Sequence, residues 1–113
     1  MEKNKQIAIF EGKKIRRLWD NKKEIWYFSV VDIIYALTES ANPTDYLKKL
    51  RKRDIELAKY MGTNCPYVEM SVENGKKRKV IAGTPENLFR IIQSVPSPKA
   101  EPIKLWLAKL EGQ

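Results

Sequence analysis

The feature that most constrains the fold is the pair Asn74-Gly75, which separates two strand-like runs in the stretch YVEMSVENGKKRKVIA at 67–82. Asn-Gly in this setting favours a type I′ turn and predicts a β-hairpin with a two-residue loop. That loop pairs Glu73 with Lys76, Val72 with Lys77, Met70 with Lys79 and Val68 with Ile81. In this register Val68, Met70, Val72 and Ile81 share one face, while Ser71 and Arg78 lie on the other.

Three further strand-like runs precede the hairpin. QIAIF, IRRLW and IWYF are rich in β-branched and aromatic residues and are separated by turn-like segments. They predict an antiparallel meander over residues 6–28.

Four helices are predicted from apolar periodicity and from the residues that begin them, over 29–39, 43–61, 85–94 and 102–110. Ser29 resembles the start of a capping box, and Asn42-Pro43 and Thr84-Pro85 each combine a capping side chain with a proline at the first helical position. After Asp54 the register leaves two alternatives: the second helix continues, or a second short helix ends at Gly62. The last helix is expected to start at Glu101 or Pro102, because proline cannot donate a hydrogen bond inside a helix.

These elements predict an α+β fold, in which small antiparallel sheet elements pack with about four helices in a single domain over 1–113. The chain contains no histidine and one cysteine, Cys65. This composition excludes Ser-His and Cys-His catalytic pairs and the usual zinc sites, so we expect no enzymatic activity, no metal and no cofactor. We also expect a cytoplasmic protein with no membrane partner, since no signal peptide or membrane span is visible.

The formal net charge is +8, which favours an anionic partner. The cations are concentrated in two main clusters and a weaker third one, Lys13, Lys14, Arg16 and Arg17. The two main clusters supply the candidate nucleic-acid-binding residues, Lys48, Lys49, Arg51, Lys52 and Arg53 in the second helix and Lys76, Lys77, Arg78 and Lys79 at the hairpin tip. Either Arg51 or Arg78 could reach a guanine edge.

Two structural explanations compete with nucleic-acid binding. Any amphipathic surface helix has a charged side, and lysines on an exposed strand edge block unwanted strand pairing. The sign of the charge argues against the first explanation, because no acid between Tyr46 and Arg53 is available to pair with the lysines. The three tryptophans are expected in the core or at its rim, with a stacking platform for single strands as the alternative.

Three segments carry a resemblance to a known family: WYFSVVDIIYALTES with NP and DY at 26–46, TNC at 63–65, and RIIQSVPSPKAEPIKLWLAKL at 90–110. They resemble the Bro-N domain, the N-terminal domain of the BRO family of phage and baculovirus proteins. The closest similarity is to prophage antirepressors and to the DNA-damage-inducible protein D branch. The resemblance implies a small α+β domain that binds DNA and takes part in transcription regulation, antirepression or the DNA damage response. We expect the DNA to be double-stranded rather than single-stranded.

The resemblance also implies a variable C-terminal domain in the full protein. The family motif commonly continues to Gly-Tyr-Glu-Arg, whereas this sequence reads Glu111-Gly112-Gln113. We therefore expect a domain excised from a longer protein, or a relative without the C-terminal domain. The alternative function is a protein-interaction module that binds a repressor or another DNA-transaction protein. RNA binding and the oligomeric state stay open.

Overall fold

The computed structural model describes residues 6–71 and 75–111, which form an α+β fold, as the sequence predicts. Within these residues, five strands make one antiparallel sheet in the order β1-β2-β3-β5-β4. The strands are β1 (Ile7–Phe10), β2 (Lys13–Asp20), β3 (Ile25–Ser29), β4 (Tyr67–Ser71) and β5 (Lys77–Gly83). The helices are α1 (Val30–Thr38), α2 (Pro43–Arg53), α3 (Ile55–Asn64), α4 (Pro85–Ile92) and α5 (Ala100–Glu111).

The meander and the hairpin meet through a short junction between β3 and β5. Phe28 lies opposite Gly83 and Ser29 lies opposite Ala82, and these are the two pairs in the junction. The junction is short because Ser29 ends β3 and also caps α1, so the chain leaves the sheet there. Residues 77–81 of β5 consequently have no partner on the β3 side among the described strands.

The predicted starts of α1, α2 and α4 are confirmed. Ser29 Oγ accepts from the backbone N–H of Asp32 at 3.3 Å, and Asn42 Oδ1 accepts from that of Asp45 at 3.0 Å. At α4, Thr84 and Asn87 each accept a hydrogen bond from the other's backbone N–H, which forms a complete capping box. α1 and α4 end within two residues of their predicted ends.

The single helix predicted over 43–61 is wrong, and the alternative of a second helix is confirmed. The break lies at Asp54, whose φ of −114° and ψ of 90° are not helical. Its carboxylate accepts from Leu57 N–H at 3.0 Å, so Asp54 serves as the N-cap of α3. α3 then runs to Asn64, two residues beyond the predicted end at Gly62.

The predicted start of the last helix is also wrong, since α5 begins at Ala100. Pro102 lies within the first turn, where backbone N–H groups have no acceptor inside the helix. Proline therefore costs no hydrogen bond at this position. The first hydrogen bond from an N–H group of α5 to the carbonyl oxygen four residues earlier runs from Ile103 N–H to Lys99 O at 3.0 Å.

The predicted hairpin register is off by one residue. Val68 lies opposite Val80, Met70 opposite Arg78 and Ser71 opposite Lys77. Five residues therefore lie between Ser71 and Lys77, the last observed pair. Because this number is odd, the register excludes the predicted two-residue loop. The shift moves Arg78 onto the face of Met70 and moves Ile81 to the opposite face. The predicted partners Val72 and Glu73 lie outside the described residues.

The core lies between the sheet and the helices, and it contains the apolar side chains whose helical periodicity predicted α1, α2, α4 and α5. Its fully buried side chains include Ile33, Leu50, Leu88 and Ile103. α5 closes the core through Trp106, whose ring makes edge contacts with Phe10 and Phe28 at centroid distances of 5.5 and 6.2 Å. Over the described stretches of the chain, no helix has the length and apolar character that crossing a bilayer requires.

Candidate nucleic-acid interface

A groove of about 830 Å³ lies between α2 and the hairpin. It forms where β5 extends beyond the end of β3, so the open side of the hairpin faces α2 instead of another strand. Among the residues that the structure describes, six cationic side chains and no acidic ones line this groove: Arg16, Lys48, Arg51, Lys52, Arg78 and Lys79. The fold thus brings together two clusters that are about 25 residues apart in sequence.

Five of the nine predicted site residues line the groove, namely Lys48, Arg51, Lys52, Arg78 and Lys79. None of these five makes an ion pair or a hydrogen bond within the described part of the chain. No described carboxylate therefore lies within ion-pair distance of these five cations, which come from two walls of one concave surface. Concave surfaces lined by one sign of charge concentrate anions.

The other four predicted site residues, Lys49, Arg53, Lys76 and Lys77, do not line the groove. Lys49 forms an ion pair with Asp45 at 3.1 Å. The sequence contains no acid between Tyr46 and Arg53 and therefore predicts that the lysines of α2 are unpaired. This expectation is wrong for Lys49, because Asp45 lies one position before that stretch. Arg53 and Lys77 are exposed outside the groove.

The third basic cluster serves mainly the fold. Lys13 pairs with Glu39 at 3.0 Å, and this contact lowers the pKa of the Glu39 carboxyl group. Arg17 is buried, and its guanidinium lies 3.9 Å from the centroid of a Trp26 ring. These contacts attach side chains of β2 to their neighbours and leave Lys14 as the exposed cation of the cluster.

Arg16 is the member of the third cluster that reaches the groove. Asp32 of α1 holds its guanidinium in two hydrogen bonds, from Nε at 2.8 Å and from Nη2 at 3.0 Å. The hydrogen bonding of Arg16 to the Asp32 carboxylate raises the pKa of Arg16, against the opposing effect of burial. Because the carboxylate compensates its charge, Arg16 adds less to the potential of the groove than the five unpaired cations do.

The groove also contains apolar side chains that the sequence analysis did not single out. Tyr67 and Ile55 are 62% and 58% exposed at its surface, and Val31, Leu47 and Ile81 line it more deeply. Tyr67 and Ile55 are the first residues of β4 and α3. No sequence pattern marks either residue, since each enters the groove only through the packing of distant elements.

The three tryptophans lie outside the groove, as expected for residues of the core or its rim. Trp19 and Trp26 form an edge contact at 5.3 Å, and Trp106 packs against Phe10 and Phe28. None of the three lines the groove. The alternative of a tryptophan stacking platform in the groove therefore has no support.

The thiol of Cys65, the single cysteine of the sequence, is not activated as a nucleophile. Cys65 is 6% exposed, and burial raises its pKa to about 11, although the positive charge of Arg51 opposes this. A thiol with this pKa is almost entirely protonated near neutral pH and is a poor nucleophile. Among the described residues no group of acids and cysteine is arranged to hold a metal ion.

These observations define a small α+β domain with a cationic groove between a helix and a hairpin. The model of the BRO family N-terminal domain, Bro-N, matches residues 14–110. The chain therefore belongs to the BRO family, which confirms the resemblance. No curated protein and no solved structure matches the chain.

Proposed function

We propose that this domain binds DNA as the regulatory domain of a prophage antirepressor-like or DNA-damage-response protein. The observation that carries the proposal is the groove, where five unpaired cations lie on two walls and none of the described lining residues is an acid. In this proposal the phosphates of double-stranded DNA contact Lys48, Arg51 and Lys52 from α2, and Arg78 and Lys79 from β5. Membership of the BRO family supports the same assignment.

The four predicted residues outside the groove have a smaller part in this proposal. Lys49 is already neutralised by Asp45, so a phosphate would have to compete with that carboxylate. Arg53, Lys76 and Lys77 would add long-range attraction that salt screens readily. Arg51 and Arg78 remain the candidates for a guanine contact, because the arginine fork matches two acceptors of that base.

The test is the affinity for a labelled random duplex, measured by fluorescence anisotropy over a range of salt concentrations. Each phosphate contact contributes about −0.9 to the slope of log K against log salt, so five contacts predict a slope of about −4.5. Replacing Lys48, Arg51, Lys52, Arg78 and Lys79 with Gln should lower the affinity about 100-fold or more and flatten the slope.

A matched control changes the net charge equally without touching the groove. Lys14, Lys22, Lys23, Lys59 and Lys109 are exposed and do not line it. Replacing these five with Gln should leave the slope close to that of the wild type. Equal losses of affinity in the two variants would contradict the assignment of the groove, and the absence of wild-type binding at low salt would contradict DNA binding itself.

The exposed Tyr67 and Ile55 favour a second candidate, a protein-interaction module that binds a repressor or another DNA-transaction protein. Tyrosine surrounded by polar groups is typical of protein interfaces, and the cations would face an acidic patch on the partner. Co-purification after nuclease treatment separates the two functions. A stoichiometric protein partner that survives nuclease, together with no affinity for DNA, would favour the second.

A further inference from the structure

We propose that Tyr67 stacks on an unpaired base, so that the groove prefers DNA with a single-stranded segment over intact duplex. This inference rests on the proposed function and adds a residue that determines specificity. It starts from a feature that phosphate binding does not use, a tyrosine residue that is 62% exposed and lines the cationic groove.

The structure holds Tyr67 in a defined position. It is the first residue of β4, where its backbone lies opposite that of Ile81 in β5. Ile81 is buried, so the strand pair is fixed to the core directly beside the exposed ring. Ile55 provides a second exposed apolar side chain in the groove, at the start of α3. Because the backbone is fixed and a tyrosine side chain has only two rotatable χ angles, little conformational freedom is lost when a ligand stacks on the ring.

The distribution of charge in the groove favours a nucleic-acid strand as the occupant. The unpaired cations come from α2 on one wall and from β5 on the other, and Tyr67 and Ile55 add exposed apolar surface to the same groove. An apolar surface offers no hydrogen bonds to a phosphate but suits the face of a base. Cationic walls combined with an aromatic ring are the features by which proteins bind single strands.

Intact duplex does not meet this description, because its bases stack on one another and only their edges are accessible in the grooves. Tyr67 can stack on a base only where pairing is interrupted, as in a gap, an overhang or a single strand. The phosphates of either form still contact the cations. An experiment can therefore separate the contribution of base stacking on Tyr67 from the contribution of the phosphate contacts.

The experiment compares four labelled probes at one salt concentration: an intact duplex, the same duplex with a short gap, a single strand, and a single strand of abasic sites. A stacked base contributes enough affinity that Tyr67→Ala should weaken binding of the gapped and single-stranded probes about tenfold. Binding of the intact duplex should change less than about twofold, because the phosphate contacts remain. The abasic strand should bind the wild type as weakly as the normal strand binds Tyr67→Ala.

Two variants complete the design. Tyr67→Phe keeps the ring and should bind like the wild type, while Tyr35→Ala removes another exposed tyrosine, 41% exposed and outside the groove, and should have no effect. Equal losses on duplex and single strand, or normal binding of the abasic strand, would overturn the stacking role. Wild-type binding to none of the probes would instead overturn the proposed function, so the two failures are distinguishable.

Discussion

Asp54 is an acidic residue whose ionised side chain stabilises the fold directly. It separates α2 from α3 and caps α3 by accepting from Leu57 N–H. This hydrogen bond is the main reason that the pKa of Asp54 lies below its ordinary value of 3.8, with smaller contributions from Ser94, Arg90 and Arg53. Because the folded state lowers this pKa, the ionised carboxylate stabilises the fold above the unfolded pKa, and this stability is lost as the pH falls through the folded pKa.

Asp54→Asn tests this contribution, because asparagine caps a helix about as well but does not titrate. We expect the melting temperature of the wild type to fall as the pH is lowered from about 5 to about 2, and that of the variant to fall less steeply. Thermal melts followed by circular dichroism at closely spaced pH values measure both curves. Parallel curves would show that Asp54 titrates alike in the folded and unfolded states.

At the scale of single residues, the sequence predicted the features that depend on near neighbours. Ser29, Asn42 and Thr84 cap helices as expected, since each needs only a backbone N–H three residues later. The roles that depend on distant neighbours were not predictable. Arg16 is held by Asp32 of α1, and Arg17 is buried against Trp26, although both arginines look like surface cations in the sequence.

At the scale of elements, α5 provides a comparison between two leucines on one helix. Leu107 is fully buried in the core, whereas Leu105 is 64% exposed. Leu107→Ala should lower the free energy of unfolding by about 2–5 kcal/mol, because it leaves a cavity in the core beneath α5. Leu105→Ala should change it by less than about 0.5 kcal/mol. Urea denaturation of both variants measures the difference, and equal effects would mean that α5 does not pack as described.

The elements also show where sequence patterns stop being informative. Apolar periodicity indicates where the helices lie, but it does not fix the register of the hairpin, which differs by one residue from the register that the Asn-Gly signal predicts. The sequence does not decide whether the helix breaks at Asp54, because a continuous helix and two short helices satisfy the same apolar pattern. The capping bond to Leu57 and the local packing decide between them.

At the scale of the whole molecule, the groove exists because β3 ends early and leaves the open side of β5 facing α2. The sequence predicted that both basic clusters were candidates, and it predicted their elements. It could not predict that five of the nine residues share one surface, because this depends on how α2 packs relative to β5. Nor could it predict that Tyr67 enters the same surface.

The arrangement has a consequence for stability that requires no ligand. Five unpaired cations in one concave surface repel one another, and this repulsion weakens the folded state at low ionic strength. Raising NaCl from about 10 mM to about 150 mM shortens the Debye length from about 30 Å to about 8 Å. We therefore expect the melting temperature of the ligand-free domain to rise with salt, and the variant with all five groove cations changed to Gln to show a smaller rise.

The control with Lys14, Lys22, Lys23, Lys59 and Lys109 changed to Gln distinguishes local repulsion from net charge. Both variants lower the net charge of +8 by the same five units, but only one removes the concentrated charge of the groove. The groove variant should also melt at a higher temperature than the wild type at low salt, whereas the control should stay closer to the wild type. If the two variants respond to salt alike, the overall charge governs the effect, and the groove is not a site of concentrated repulsion. If only the groove variant loses the response, the same surface that would attract phosphates is under electrostatic strain when empty, and an anion that fills it should raise the melting temperature of the wild type.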